Sequence, residues 1–330
     1  MVWCALAVAF ASATQDIALD AYRIESAPTE QQPALAASYQ TGYRLAMIWA
    51  GAGVLWLAAR AQGGTAGYDN HAWQVAYLVM AASMALGVLT VLLSPEPAPR
   101  VIAPARNAAE WVRSALVEPF ADFFKRYKWQ AALILALIAV YRISDVVMGI
   151  MANPFYVDMQ FSKEQVALVS GMFGIFFTLL GTFIGGVLAL RLGVMRVLML
   201  GAVLSAASNL LFAWLASHPE MAQSLWQFSI LGRSFSIPST LTAVIAADNL
   251  SGGIASAAFI AYLSGLTSIS YSATQYALFS SIMLLLPKFI AGFSGKFVDL
   301  HGYPSFFIGT ALLGIPVVIL VWLAGRSLRV

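Results

Sequence analysis

Charged and amide side chains lie inside an apolar stretch near the start of this 330-residue sequence. The stretch holds Gln15, Asp16, Asp20 and Arg23, and in a helix the last three would fall within about a 60° arc. A charge at the centre of a bilayer costs about 2.5 to 3.5 kcal/mol, so such groups pair or face a polar cavity. Asp20 and Arg23 lie near one end, which favours a charge clamp between helices. Asp16 lies deeper, which favours binding of a proton or a substrate.

Three further apolar stretches carry polar residues of the same kinds. They are Gln40, Tyr43 and Arg44 in the second stretch, Tyr141, Arg142 and Asp145 in the fourth, and Gln275 and Lys288 in the eighth. The guanidinium groups of Arg44 and Arg142 suit anionic or sugar oxygens. Neutralisation of Asp16 or Asp145 is the equally simple alternative. Lys288 would reach the lipid surface only with difficulty from the middle of a helix, so we expect it in a cavity.

The elements that must position these residues are membrane-spanning helices. Hydrophobic residues make up 60% of the chain and charged residues 10%, too few polar side chains for a water-exposed surface of this size. A bilayer core needs roughly 20 apolar residues per helix. Nine such stretches occur, at 3–22, 40–59, 73–93, 129–150, 165–190, 194–216, 240–265, 272–296 and 304–325. The sequence therefore predicts an all-α membrane protein with about nine transmembrane helices.

The distribution of basic residues predicts the orientation of these helices. Most Lys and Arg residues fall in loops on one side, and that side is cytoplasmic by the positive-inside rule. Met1 is then outside and Val330 inside. The basic residues flank helix ends and alternate with acidic ones, so we expect no nucleic-acid partner. The polar segment 218–239 should be a periplasmic or interfacial excursion and not a tenth span.

The longest loop divides the chain into candidate domains. Residues 94–99 read SPEPAP, and prolines cannot continue a helix. We interpret 94–128 as a cytoplasmic linker with an amphipathic helix, between a three-helix remainder of an N-terminal bundle (1–93) and a C-terminal six-helix bundle (129–330). The pattern Asp-x-His-x-aromatic precedes a span at 69–73 and again at 299–303. If it marks two parallel repeats, three helices are missing from the first repeat.

The glycine pattern and the absence of catalytic motifs both favour a transporter over an enzyme. Gly171, Gly174, Gly181, Gly185 and Gly186 line one span, where small residues let helices approach closely. The sequence holds no metal-ligand cluster, no P-loop and no dinucleotide motif, so we expect no metal, no cofactor and no enzyme activity. With one cysteine, Cys4, no internal disulfide can form.

Several motifs resemble a known family. They are SATQDIALDAYR at 12–23, GYR at 42–44, DNLSGG at 248–253, AFIAY at 258–262 and SATQYAL at 272–278. In this order they resemble the AmpG-type muropeptide permeases of the major facilitator superfamily, which are related to acetyl-coenzyme A transporters. The resemblance covers nearly the whole chain and aligns its first two spans with the family's fourth and fifth helices.

The resemblance implies a two-bundle secondary transporter, N-terminally truncated, in the inner membrane of a Gram-negative bacterium. Such a permease imports anhydro-muropeptides, which are GlcNAc-anhydroMurNAc peptides, with protons for cell-wall recycling and β-lactamase induction. Its partners would be this small molecule, protons and the lipid bilayer, and the full-length protein is expected to be a monomer. The matching motif positions imply a cavity set of Gln15, Asp16, Asp20, Arg44, Asn249 and Gln275.

The sequence departs from the family at three places, and these departures leave alternatives to muropeptide transport open. The first three helices of the family are absent, 218–239 is longer than expected, and Pro287-Lys288 stands where the family has Gly-Arg. One alternative is a truncated remnant in the membrane that does not transport. The other is a carrier of the same fold with a different substrate, such as acetyl-coenzyme A or a lipid.

Overall fold

Helices dominate the described chain, which confirms the predicted all-α class. In a computed structural model of the protein, residues 2–63, 69–97, 106–230 and 233–327 are described. The α-helices are α1 (Val2–Glu25), α2 (Gln32–Ile48), α3 (Val54–Gln62), α4 (Asn70–Leu93), α5 (Ala108–Val112), α6 (Glu118–Tyr127), α7 (Gln130–Val140), α8 (Ile143–Asp158), α9 (Lys163–Val166), α10 (Ile175–Leu192), α11 (Val194–Ser217), α12 (Ser239–Leu266), α13 (Ser272–Ala291), α14 (Ser294–Leu312) and α15 (Gly314–Ser327). Segments Trp49–Gly53, Arg113–Val117 and Ala167–Gly174 are π-helical, and 3-10 turns occupy Thr29–Gln31, Pro219–Gln223 and Ile269–Tyr271.

Nine helical stretches within the described ranges are long and apolar enough to cross a bilayer, as predicted. They are Val2–Glu25, Thr29–Gln62, Asn70–Leu93, Gln130–Asp158, Ala167–Leu192, Val194–Ser217, Ser239–Leu266, Ile269–Ala291 and Ser294–Ser327. The second begins at Thr29 instead of residue 40, because a 3-10 turn at Thr29–Gln31 leads directly into α2. Pro33 is tolerated in the first turn of α2, where its missing N–H has no intrahelical partner. The protein is therefore a multi-pass membrane protein.

The polar segment between α11 and α12 forms a β-hairpin. Strand β1 (Leu225–Ile230) pairs with β2 (Arg233–Pro238) in antiparallel register, with Leu225 opposite Pro238. The backbone amide and the hydroxyl of Ser239 both donate to the carbonyl of Ser224, at 2.8 and 3.2 Å, where the hairpin joins α12. A strand pair of this length is not a tenth helical span, whereas the periplasmic or interfacial location of the segment stays a prediction.

The last span contains a break that matches the predicted start of the ninth stretch. Helix α14 begins at Ser294, ten residues earlier than expected, but Gly302 inside it has φ 76° and ψ 168°. This left-handed φ is open to glycine without a side-chain clash. His301, the residue before the break, lies within α14, and the helical segment after the break starts at the predicted position. Beyond the break, the Tyr303 hydroxyl donates to Asp158 at 2.6 Å.

The chain forms two compact units, which we describe separately. One comprises Met1–Ala37 with Ile102–Val330, and the other comprises Ser38–Val101. In the second unit α3 packs on α4, and the indole Nε1 of Trp49 donates to Ser83 at 3.2 Å. Asp69 caps α4 through the backbone amide of His71 at 2.9 Å. The division into a three-helix bundle, a linker and a six-helix bundle stays a prediction, and residues 98–99 of its hinge lie outside the described ranges.

Small residues set the spacing at the centre of the first unit, where α12 packs against α10 and α11. A Cβ on Gly181 would lie 2.2 Å from the carbonyl oxygen of Leu250, and one on Gly253 would lie 2.4 Å from the carbonyl oxygen of Thr178. Both obstacles are backbone atoms, which cannot rotate away as a side chain could. The predicted close approach of helices at the glycine-lined span is confirmed for α10 and α12.

A valine at residue 181 should therefore force α10 and α12 apart. We expect Gly181→Val to destabilise the protein by about 3 kcal/mol, the upper part of the range for overpacking. Gly171→Val is the matched control, because a Cβ on Gly171 meets no atom within 4 Å. Thermal unfolding of the detergent-purified variants measures the difference. Equal transition temperatures for both variants would contradict the tight contact.

The predicted amphipathic helix of the linker packs on the bundle. Residues 108–127 are helical, and Trp111, Phe120 and Phe124 are exposed. Phe123 points inward, is 2% exposed and lies with its ring centroid 5.3 Å from that of Phe279 on α13. The linker therefore contacts a transmembrane helix directly instead of only resting on the membrane surface.

Candidate functional site

A break in the fourth span brings charged side chains into the interior of the first unit. Helix α7 ends at Val140 and α8 begins at Ile143, and Arg142 at the break has φ −93° and ψ 6°. Its Nε lies 3.2 Å from Oδ2 of Asp145, and its Nη1 donates to the hydroxyl of Ser256 at 2.6 Å. Transporter sites are commonly formed at such discontinuous helices.

The carboxylate of Asp145 continues this network toward α11. It accepts a hydrogen bond from the hydroxyl of Ser205. The side chains of Arg142 and Asp145 remain 25% and 17% exposed, so solvent or a ligand can reach the pair. Tyr141, by contrast, is 5% exposed and stacks on Phe259, with its hydroxyl donating to the carbonyl of Leu198. Of the three residues predicted here, Arg142 and Asp145 form a partly exposed ion pair, whereas Tyr141 is packed in the core.

Asp248 is a second acid in this region, and reasoning from the sequence did not place it in the site. Its Oδ1 accepts from the hydroxyl of Ser208 at 3.0 Å. Within the described part of the chain, no cationic nitrogen lies within 4.0 Å of its carboxylate. The signal in the sequence was an acid in the middle of a long apolar stretch, beside Asn249. We call Arg142, Asp145, Ser205, Ser208 and Asp248 the bundle cluster.

Asn249 links α12 to α10 beside the bundle cluster. Its Oδ1 accepts from the hydroxyl of Thr178 at 2.8 Å, and its Nδ2 donates to the carbonyl of Ile245 at 2.9 Å. A Cβ on Gly174 would meet the amide of Asn249 at 3.4 Å. The close packing of the glycine-lined span therefore positions this predicted site residue.

Asp20 and Arg23 form the charge clamp expected from their spacing. Their side chains pair at 3.3 Å and are 15% and 5% exposed. The Nη1 of Arg23 donates to Ser264 at the end of α12 at 2.7 Å, and its guanidinium lies 5.1 Å from the ring centroid of Tyr276 on α13. Glu25 accepts from the hydroxyl of Ser272. We call these residues the end cluster, which ties α1 to α12 and α13.

Gln275 lies in a third network that includes the linker helix. Its Oε1 accepts from Arg126 at 2.9 Å and from the backbone amide of Ser268 at 2.7 Å. Its Nε2 donates to the carbonyl of Pro119 at 2.8 Å and to Asp122 at 3.0 Å. We call this the linker cluster. The structure uses the side chain of Gln275 to hold α6, and the predicted cavity role for it stays a prediction.

The linker cluster also contains an ion pair and a tyrosine. Arg126 pairs with Asp122 at 2.8 Å and donates to the carbonyl of Leu266, the last residue of α12, at 3.0 Å. Burial raises the pKa of Tyr127 above its ordinary value, and the nearby positive charge of Arg126 only partly opposes this. The hydroxyl of Tyr127 therefore remains protonated at neutral pH.

The other predicted site residues lie apart from these clusters or in the second unit. Gln15 and Asp16 are exposed on α1, and Lys288 is exposed on α13 after the buried Pro287. Gln40, Tyr43 and Arg44 belong to the second unit, in which Tyr43 is 54% exposed and Arg44 contacts the sulfur of Met47 at 3.9 Å. The roles of these six residues stay predictions.

The bundle cluster can bind an anion and a proton within one set of helices. A partly exposed guanidinium suits carboxylates or sugar oxygens, and a carboxylate that forms no salt bridge among the described residues is a candidate for protonation. Among the described residues, no group of three or more His, Cys, Asp or Glu side chains is close enough to hold a metal ion.

Comparisons with known proteins identify transporters as relatives. The anhydromuropeptide permease of Escherichia coli K12 is 31% identical over 326 residues, which are 98% of this chain and 60% of the permease. A Rickettsia felis protein named as an AmpG transporter is 28% identical over 98% of this chain and 72% of its own length.

A third relative also matches nearly the whole of this chain. It is an uncharacterized protein of Haemophilus influenzae, 31% identical over 97% of this chain and 71% of its own length. No protein-family model matches the chain. The named relatives are permeases and transporters and not enzymes. With its nine candidate spans and its similarity along nearly the full length, the chain belongs to the family of AmpG transporters.

Proposed function

We propose that this chain carries anhydromuropeptides into the cytoplasm, across the inner membrane and together with protons. The name of the Escherichia coli relative supports this substrate, and the chain spans 60% of the length of that permease. The observation that carries the proposal is the partly exposed Arg142–Asp145 pair at a helix break inside a bundle of membrane-crossing helices.

The chemistry of the bundle cluster fits a sugar-peptide. Such a ligand offers carboxylates and many hydroxyl groups, and Arg142 presents a guanidinium that suits both. Ser205 and Ser256 already donate or accept hydrogen bonds around this pair and can exchange these for bonds to a ligand. A small number of well-placed polar groups in a mostly apolar surrounding is typical of ligand sites.

The end cluster and the linker cluster support alternating access. Two-bundle carriers expose a central site to one side at a time by rocking one half against the other. The positive-inside prediction puts the contact of Arg23 with Ser264 and that of Arg126 with Leu266 at the cytoplasmic ends of the helices. These contacts hold the cytoplasmic ends of the helices together. In the proposed cycle they must break before the substrate is released into the cytoplasm.

Two acids are candidates for the proton site. Asp16 is the deepest acid on α1, but it is exposed along the helix surface. Asp248 lies on α12 near Asn249 with a serine as its hydrogen-bond donor. The Asp248 carboxylate forms no salt bridge among the described residues, and an intramembrane carboxylate without one is costly when ionised, so it is stabilised by taking up a proton. We therefore favour Asp248 as the proton carrier.

An uptake assay tests the proposed function. The chain is expressed in a strain without its own anhydromuropeptide permease, and accumulation of radiolabelled anhydromuropeptide is measured with and without a protonophore. A chimera is tested in parallel, in which this chain replaces the aligned 326 residues of the Escherichia coli permease. We expect uptake by the chimera that the protonophore abolishes. The chimera controls for any segment that the relative has beyond the aligned region.

Other outcomes would replace the proposal with one of the alternatives. A chimera that reaches the membrane in normal amounts but accumulates no anhydromuropeptide would contradict the substrate. Uptake of labelled acetyl-coenzyme A by the same cells would identify a carrier of the same fold with another substrate. Uptake that persists with the protonophore would contradict proton coupling. It would still support anhydromuropeptide as the substrate.

A further inference from the structure

A groove at one end of the helices is separate from the three polar clusters. It has a volume of about 840 Å³, within the range of ligand sites. Its walls come from the turn after α1, the end of α10, the start of α11 and the end of α15. The residues that matter here are Glu30, Leu190, Arg196, Trp322 and Arg326.

The groove carries positive charge that the protein leaves without a partner. Arg196 and Arg326 are exposed, and no salt bridge to either is found in the part of the chain that the structure describes. The guanidinium of Arg326 lies 4.8 Å from the ring centroid of Trp322, which holds it over an aromatic face. Glu30, also exposed, is the one carboxylate lining this groove among the described residues. The lining is therefore net positive.

The rest of the lining is mainly apolar, and part of it is exposed. Leu190 and Trp322 are each 51% exposed, and Met195, Met199 and Val321 complete this side of the groove. A small water-soluble anion would contact the arginines but would leave these apolar side chains uncovered. A ligand with both an anionic group and hydrocarbon chains would cover the arginines and the apolar side chains together.

The position of the groove matches the leaflet that holds anionic lipids. Arg196 follows the start of α11 and Arg326 precedes the end of α15, at ends that the positive-inside rule assigns to the cytoplasm. Anionic headgroups attract basic residues at this depth, and tryptophan side chains favour the interface.

We propose that the groove binds an anionic phospholipid of the cytoplasmic leaflet. The phosphate interacts with Arg196 and Arg326, and the acyl chains lie along Leu190 and Trp322. Because the groove also includes Thr29 and Pro33 beside α10, α11 and α15, the bound lipid bridges the turn after α1 and the ends of those helices. This inference does not depend on the transported substrate.

Native mass spectrometry of the full chain, purified in detergent and partly delipidated, measures the binding. Phosphatidylglycerol is titrated against phosphatidylcholine with the same acyl chains, and glycerol 3-phosphate is tested alone. We expect retention of phosphatidylglycerol, weaker retention of phosphatidylcholine and no binding of glycerol 3-phosphate. These measurements use the unaltered chain, so their outcome does not depend on whether a variant folds. Equal retention of both lipids would overturn the proposal, and so would binding of glycerol 3-phosphate as tight as that of the lipid.

Two variants locate the site on the groove. Arg196→Ala combined with Arg326→Ala should weaken phosphatidylglycerol binding about thirtyfold, because each basic residue near an anionic lipid surface strengthens binding about fivefold. The matched control is Arg191→Ala, because Arg191 is exposed at the end of α10 but does not line the groove. An equal loss in this control, or no loss in the double variant, would contradict the assignment.

Discussion

Replacing Asp248 with asparagine should abolish proton-driven accumulation of anhydromuropeptide while exchange of labelled for unlabelled substrate continues. Asparagine resembles the protonated acid in shape and charge but cannot release a proton. A carrier with a permanently neutral side chain at its proton site can still exchange substrate, because exchange moves no net protons. Among the described residues the side chain of Asp248 has a hydrogen bond from Ser208 and no salt bridge, so neutralising it should not lower the amount of protein in the membrane.

The size of the effect follows from the membrane potential. One proton moving through about 100 mV is worth about 2.3 kcal/mol, which supports about a fiftyfold accumulation of substrate. The Asp248→Asn variant should lose this gradient completely. Asp16→Asn is the matched comparison, since it neutralises the exposed acid on α1. If Asp16→Asn loses the gradient and Asp248→Asn keeps it, the proton carrier is Asp16.

Replacing Arg142 with alanine should destabilise the protein and abolish uptake. The change leaves Asp145 inside the bundle with Ser205 as its remaining partner. Removing one member of a buried ion pair costs about 3 to 5 kcal/mol, and the partial exposure of this pair favours the lower end. Unfolding of the purified variant, followed by temperature-dependent fluorescence, measures the loss. Uptake should also disappear, because the guanidinium is the anion-binding group in our proposal.

A double variant separates the structural role of Arg142 from its role in transport. Arg142→Ala with Asp145→Asn removes both charges, so most of the lost stability should return. Uptake should remain absent, because no guanidinium is left to bind the substrate. Normal uptake by the double variant would show that the pair serves only the fold.

The helical framework could be predicted because it depends on local sequence. Each span is long and apolar enough to be stable in a bilayer, where the backbone satisfies its own hydrogen bonds. For the same reason the pairing of Asp20 with Arg23, three residues apart on one helix, followed from spacing alone. The close approach of α10 to α12 at Gly181 was also visible as a run of glycines.

The partners of polar residues on different helices could not be predicted in this way. Gln275 matched a motif and suggested a cavity, yet its four hydrogen bonds hold the linker helix and the turn after α12. The sequence shows that a buried amide needs partners, but many helices offer them. Which helix provides them depends on how the bundle packs.

The sequence by itself therefore determined the number of spans, the polar excursion between α11 and α12 and the family. The tertiary structure decided where the fourth span breaks, which places Arg142 beside both Asp145 and Ser256. It also decided that Asp248 forms no salt bridge within the described ranges, although the sequence holds many arginines. The physical reason is that hydrophobic length is a property of one segment, whereas the environment of a charge depends on contacts between segments far apart in the chain.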